Sequence, residues 1–439
     1  MPEPTLAPPV NAAGPIDPHL VVRLRRRVSV RLSAVDRPAA GAERGPLVAG
    51  LIAAVLDEHV HELIEAGQPR LEPHVEARLA RQLRDALTGL GGFQPLLDDP
   101  EIENISAQGC DRVFVRYRGG RRARVPAVAA SDDELIELVR ATAAHAGIEE
   151  RRFDRGCPRL SIRVPDGSRM FAVGWVTERP CVSIRRHGLL DADLNDLCRL
   201  GTISTTQGHL LAALVRARRN IAVSGGTDSG KTTFARALAT NFDFHEHIVV
   251  IEDVTELALD QDERRHPDIV VMQTREPNIE GQGGIDAAEL VRWGLRMSPD
   301  RVLVGEVRGP EVVPMLNALS QGNDGSIFTI HSSSSRQVPA RLATYAIQAV
   351  ERLAFEATYA LVAAAVHVIV HLEKLSDGTR VLSSLREVVG FDNGQVVTNE
   401  VYRPGPDKRG VPATPLRAST MDALITAGLD PHVLTAEGW

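Results

Sequence analysis

The chain has 439 residues, 43% of them hydrophobic and 24% charged, and carries a net charge of −7. That is room for two or three domains with sizeable cores. The negative balance argues against a general nucleic-acid binder, whose affinity rests on neutralising phosphates. The four cysteines, Cys110, Cys157, Cys181 and Cys198, form no CxxC pair, so neither a zinc site nor a dithiol redox motif is expected. The first residues lack a charged-then-apolar leader pattern. The longest apolar run, Ala360–Val370, is short of the ~20 residues that a membrane-crossing helix needs. It reads as a buried helix running into a strand, and the protein as cytoplasmic.

In chain order, residues 1–45 are rich in Pro and Ala without a sustained period, which predicts a disordered or extended arm. Within it, Val21–Leu32 alternates basic and apolar residues. That reads as a solvated strand or tail, with a docking segment for an anionic surface as the alternative. Residues 46–90 form a helical region. Leu51, Val55, Val60, Leu63 and Ile64 share one face, Gly67 and Pro69 interrupt it, and a second helix runs from Pro73 to Leu87. Residues 91–187 read as a mixed α+β domain. They hold a hairpin turning at Gly119-Gly120, a helix to about Ala146 opened by a Ser131/Glu134 capping box, two strands around the turn at Pro165–Ser168, and a strand ending at Arg185-Arg186. Residues 188–203 read as a linker with a short helix. From residue 204 to 439, short buried strands alternate with helices, which predicts an α/β sheet covered on both faces.

Within that last region lies the stretch Gly225, Gly226, Thr227, Asp228, Ser229, Gly230, Lys231, Thr232, Thr233. It matches GxxxxGK[ST], follows a strand and opens a helix, the context a phosphate-binding loop requires. Backbone N–H groups of the loop and the helix start converge on an anion. Lys231 is expected to reach the β- and γ-phosphates of ATP, and the Thr232 hydroxyl to ligate Mg²⁺. Asp228 is unusual in such a loop. The simplest account is conformational, since aspartate visits left-handed backbone angles more readily than most residues, with its carboxylate turned to solvent. The other account has it repelling phosphate or touching Mg²⁺. Acids end two further strands, Glu252-Asp253 with Glu256 beyond, and Glu306. Strand carboxyl ends are where ligands bind in open α/β sheets. Glu306 is the first choice to orient or deprotonate an attacking water, and also to lie at Mg²⁺, with Glu252 second. His331 ends a third strand, where it is placed to sense the γ-phosphate. Lysine is scarce, Lys231, Lys374 and Lys408 being the only ones.

Together these motifs resemble those of the traffic ATPases that power secretion and pilus assembly. Lys231 stands in the Walker A loop, Glu252 in the acidic box, Glu306 in the Walker B strand and His331 in the histidine box. The stretches GGFQPLLDDPEIENI, VPDGSRMFAV, MQTREPNIEGQGG and LRMSPDRVLVGEVRGPE are most similar to the branch that drives tight-adherence (Tad) pili. The resemblance implies a RecA-like P-loop domain preceded by a mobile N-terminal domain, a homohexameric ring, and work on inner-membrane platform proteins from the cytoplasmic face. It also implies arginines acting in trans on the triphosphate, at Arg169 and at Arg185 or Arg186, with Arg308 a weaker candidate. Two departures stand out: Asp228 replaces a glycine, and Asn323 replaces the histidine that usually opens the histidine box. Both bear on the rate expected.

Three alternatives remain. One is a conjugation-type (type IV) secretion ATPase. Another is a regulator that binds ATP and barely turns it over. The third is a nucleic-acid translocase, disfavoured by 4% aromatic content and the acidic balance.

Overall fold

The computed structural model describes residues 18–33, 44–88, 90–118, 120–145, 152–164, 166–186, 192–275, 277 and 281–435. The chain divides into two compact units, Met1–His187 and Gly188–Trp439.

The first unit opens with three helices, α1 (Pro18–Ser33), α2 (Arg44–Glu65) and α3 (Pro73–Thr88). The solvated strand or tail expected around Val21–Leu32 is corrected: this segment is helical. Leu20, Leu24, Val28 and Leu32 recur every four residues and pack with Val55, Leu79 and Leu83. The intervening arginines disguise that stripe as a two-residue alternation. Arg27 and Arg31 instead pair with Glu58 and Glu62 of α2 at 2.6–2.8 Å. The rest of the arm, residues 1–17 and 34–43, lies outside the described residues.

There follow α4 (Gln94–Asp98), β1 (Ile102–Gln108), β2 (Arg112–Tyr117), β3 (Arg122–Val125), α5 (Asp132–His145), β4 (Arg159–Arg163), β5 (Arg169–Val173) and β6 (Cys181–Arg185). The strands form one antiparallel sheet in the order β3-β2-β1-β6-β5-β4. Period-two alternation sends Ile105, Val115, Ile162, Met170 and Ile184 into a core with Phe93, Leu135 and Val139. On the other parity, Arg163, Arg169, Arg185, Asn104 and Arg116 stand in register across five strands.

The second unit starts with α6 (Leu194–Arg199) and α7 (Thr205–Arg216), each opened by a capping box, Asp193/Asp196 and Ser204/Gln207. It continues through β7 (Ile221–Gly225), α8 (Lys231–Ala239), β8 (Ile248–Glu252), β9 (Ile269–Gln273), α9 (Ala287–Gly294), β10 (Arg301–Val307), α10 (Val312–Leu319) and β11 (Ile327–His331). Then come α11 (Val338–Gln348), α12 (Phe355–Ala365), β12 (Val368–Lys374), β13 (Arg380–Asp392), β14 (Gln395–Pro404), β15 (Gly410–Pro412), α13 (Ala418–Thr426) and α14 (His432–Thr435). The apolar run Ala360–Val370 is the end of α12 and the start of β12.

The sheet order is β15-β14-β13-β12-β7-β11-β10-β8-β9, parallel from β12 to β9 and antiparallel from β12 outward to β15. Neighbouring strand residues face opposite cores. Ile221, Val223 and Val250 pack with α7 and α8, whereas Ala222, Val249 and Ile251 pack with α9, α10 and α12. This unit is a RecA-like P-loop domain, and the first unit supplies the α+β domain ahead of it. No helix among the described residues is long and apolar enough to cross a membrane.

Candidate nucleotide site

The site lies where the parallel strands end. β7 is buried along its length and stops at Gly225, where the chain turns into the glycine loop. A Cβ at Gly225 would stand 2.3 Å from Ser229 Oγ and 2.6 Å from the Leu372 carbonyl oxygen, so only glycine fits. Asp228 has φ of 64° and Gly230 φ of 89°. These two left-handed residues swing the chain back so that α8 begins at Lys231. The Ser229 hydroxyl donates to the Gly226 carbonyl at 2.9 Å and braces the turn. Thr227 is exposed at the loop tip, and Thr232 and Thr233 stand half-buried in the first turn of α8.

Lys231 is buried, and its ammonium donates to the carbonyls of Gly226 (2.9 Å) and Gly225 (3.3 Å). It also lies 3.3 Å from Nδ1 of His331. His331 Nε2 is 2.9 Å from a Glu306 carboxylate oxygen. Nε2–H is placed to donate to Glu306, and the Lys231 ammonium lies beside the ring, 3.3 Å from Nδ1 and 3.4 Å from Nε2. Burial raises the Glu306 pKa, but the His331 hydrogen bond and the charges of Lys231 and Arg308 outweigh it, and the net shift is downward. Glu306 is therefore an ionised carboxylate within reach of the loop's lysine.

Glu252 is placed differently. Its side chain is buried, with one carboxyl oxygen accepting the backbone N–H groups of Glu256 and Leu257, each at 2.9 Å. The other oxygen has no hydrogen-bond partner. Burial lifts its pKa to about 7, against the lowering effect of those two N–H groups. Glu252 thus fixes the turn after β8. The acid that this turn presents to the loop is Glu256, whose Oε2 lies 3.4 Å from the Thr232 hydroxyl. Asp253 pairs with Arg308 and accepts from Thr274 Oγ1 at 2.7 Å, so Arg308 is engaged locally.

The Asp228 carboxylate does not point to solvent. Lys374 Nζ lies 2.6 Å from one of its oxygens and Arg380 Nη2 3.0 Å from the other. Asn323 lies before β11, at the opposite end of the strands, where its amide donates to the Pro299 carbonyl at 2.7 Å. Beside it, Asn220, at the start of β7, accepts from the N–H groups of Gly325 and Ser326. Asn323 thus shapes the turn into β11 and lies outside the phosphate site.

In the first unit, Arg169 and Arg185 are register partners on β5 and β6 and share one sheet face. Arg186 falls past the strand, and its guanidinium donates to the Asp99 carbonyl. Glu256, Lys374 and Arg380 were not singled out from the sequence as site residues. The spacing Glu252-Asp253-x-x-Glu256 held the signal for the first, and the scarcity of lysine pointed weakly at Lys374.

The groups gathered here fit a nucleotide and its metal. An ammonium rests on carbonyl oxygens it can exchange for phosphate, and a hydroxyl and a carboxylate meet in the first turn of α8, as hard oxygen donors for Mg²⁺.

Residues 86–389 match the model of the family described as type II/IV secretion system protein. A putative conjugal transfer protein of Mycobacterium tuberculosis is 35% identical over 314 residues, covering 70% of this chain and 86% of that protein. The type IV secretion system protein VirB11 of Brucella suis is 30% identical over 322 residues, covering 65% and 85%. The crystal structure of the Brucella suis VirB11 ATPase aligns over 68% of this chain and 93% of that one, at 29% identity and a TM-score of 0.36. With the family match spanning most of the chain and the P-loop strand-ends assembled within it, the chain belongs to the type II/IV secretion system protein family.

Proposed function

We propose that the protein is a Mg²⁺-dependent ATPase whose turnover drives a secretion or pilus-assembly machine of the cell envelope. The observation that carries this reading is the convergence of Lys231, Thr232, Glu256, Glu306 and His331 at the carboxyl ends of adjacent parallel strands. The N–H groups of the loop and of the α8 start bind the phosphates, and Lys231 leaves the Gly225 and Gly226 carbonyls for them. Thr232 and Glu256, together with Glu306, would hold Mg²⁺, which would supply neutralising charge on the phosphate oxygens. Glu306, ionised and oriented by His331, takes the proton of the attacking water. His331 links Glu306 to Lys231, so it couples the catalytic base to the residue that feels the phosphates.

The resemblance supports a homohexamer on the cytoplasmic face of the membrane, working on inner-membrane platform proteins. Arg169 and Arg185 are suited to stabilise charge on a neighbouring subunit's phosphates, because they stand side by side on one face. Arg186 is less suited, being turned to a backbone carbonyl. The motif set favours Tad-type pilus assembly. Conjugation-type secretion is a second reading, favoured by relatives named as conjugal transfer and VirB11 proteins.

Equilibrium binding of Mg-ATP tests the site. Lys231→Ala is expected to abolish binding or hydrolysis, and retained turnover would remove the loop from the chemistry.

A further inference from the structure

Phosphate loops draw affinity from converging N–H dipoles, and an acid inside one works against it. Asp228 stands in the middle of this loop, yet its side chain is only 13% exposed and both its oxygens are engaged. Lys374 closes β12 and Arg380 opens β13. They are register partners across the hairpin, two like charges directly opposite each other. Such a pair repels and destabilises its strands unless an anion lies between them. The Asp228 carboxylate supplies that anion, taking Lys374 on one oxygen and Arg380 on the other. Arg380 Nε also donates to the Asp228 carbonyl at 3.2 Å.

The hairpin meets the loop at two further points. The Arg380 stem lies over Gly230, its Cδ 2.9 Å from where a Cβ would stand, and the Leu372 carbonyl closes on Gly225. Each of the three groups answers a liability of the others. The acid is neutralised, the like-charged pair is bridged, and the cluster keeps a net charge of +1 beside the phosphate loop.

We propose that Asp228, Lys374 and Arg380 form a charged clasp that fastens the phosphate loop to the β12–β13 hairpin and holds it in its anion-binding shape. The clasp's effect on nucleotide affinity rests on the ATP reading above; the fastening itself does not. All three are positioning residues. A carboxylate acting only through its field would shift affinity independently of the two cations, whereas a clasp is lost whichever side is cut.

The test is a double-mutant cycle on the full chain, with Asp228→Asn on one side and the pair Lys374→Ala, Arg380→Ala on the other. Asparagine tolerates the left-handed angle, so the backbone is kept while the charge and one of the two acceptor oxygens are removed. Two quantities are read: amide hydrogen exchange over residues 224–231 without nucleotide, and the Kd of a fluorescent Mg-ADP analogue. Cutting either side is expected to speed exchange of the loop amides about tenfold, with little further change in the combined variant. The losses in affinity are likewise expected to be less than additive. Unchanged exchange in Asp228→Asn, or strictly additive effects in both readouts, would overturn the clasp. Lys231→Ala serves as the control. If it still binds the analogue, the nucleotide reading fails, while the exchange data still judge the clasp.

Discussion

Glu252→Gln separates a buried positioning acid from a catalytic one. The carboxyl of Glu252 is driven from its ordinary 4.5 to about 7 by burial, with two backbone N–H groups on one oxygen and nothing on the other. The folded state therefore holds its proton over a range where the unfolded chain has lost it. Between pH 4.5 and 7 the folded protein binds more protons, so this group's contribution to stability falls as pH rises, by about 3 kcal/mol over the whole window. Glutamine offers the same carbonyl to the same two N–H groups and does not titrate. Urea unfolding of nucleotide-free protein at pH 5 and pH 8 isolates the effect, because other titrating groups cancel in the difference between variant and wild type. Glu252→Gln is expected to gain on wild type by roughly 2–3 kcal/mol across that interval, and to keep turnover within about threefold, since the turn after β8 keeps its anchor. A stability difference that is flat with pH would refute the raised pKa that burial gives Glu252. A loss of turnover of about a hundredfold or more would return it to the chemistry.

Glu306→Gln removes the ionised acid at the end of β10 and is expected to lower kcat by about 10²–10³ while nucleotide binding persists, measured by steady-state turnover beside equilibrium binding. Rates equal to wild type would strip Glu306 of its role. Arg185→Ala mixed into wild-type protein is expected to depress turnover more than in proportion to its fraction, the mark of a residue serving a neighbour's site. A strictly proportional loss would argue against action in trans.

The β7–loop–α8 unit was legible because its chemistry is local: a buried strand, glycines where left-handed angles or close approach are needed, and a lysine at the helix start. The parallel strands β8, β10 and β11 were legible for a related reason, as short apolar runs punctuated by acids or a histidine. Two things were hidden. In α1, arginines pairing with α2 masked a four-residue stripe, so a packed helix looked like an alternating tail. At the loop, Asp228 finds its partners about 150 residues away on β12 and β13, contacts that only the β12–β7 pairing creates. Glu252 and Glu256 show the same limit at shorter range. Both are acids after one strand, and which of them faces the phosphate loop is decided by the turn that Glu252 itself ties down.

The most direct measurement is ATP turnover per subunit in the presence of Mg²⁺, followed across a range of protein concentrations. A ring motor with sites shared between neighbours gives a rate per subunit that climbs as rings assemble and that Lys231→Ala removes. A rate that stays flat and near zero at every concentration would contradict it, leaving a nucleotide binder in place of a motor.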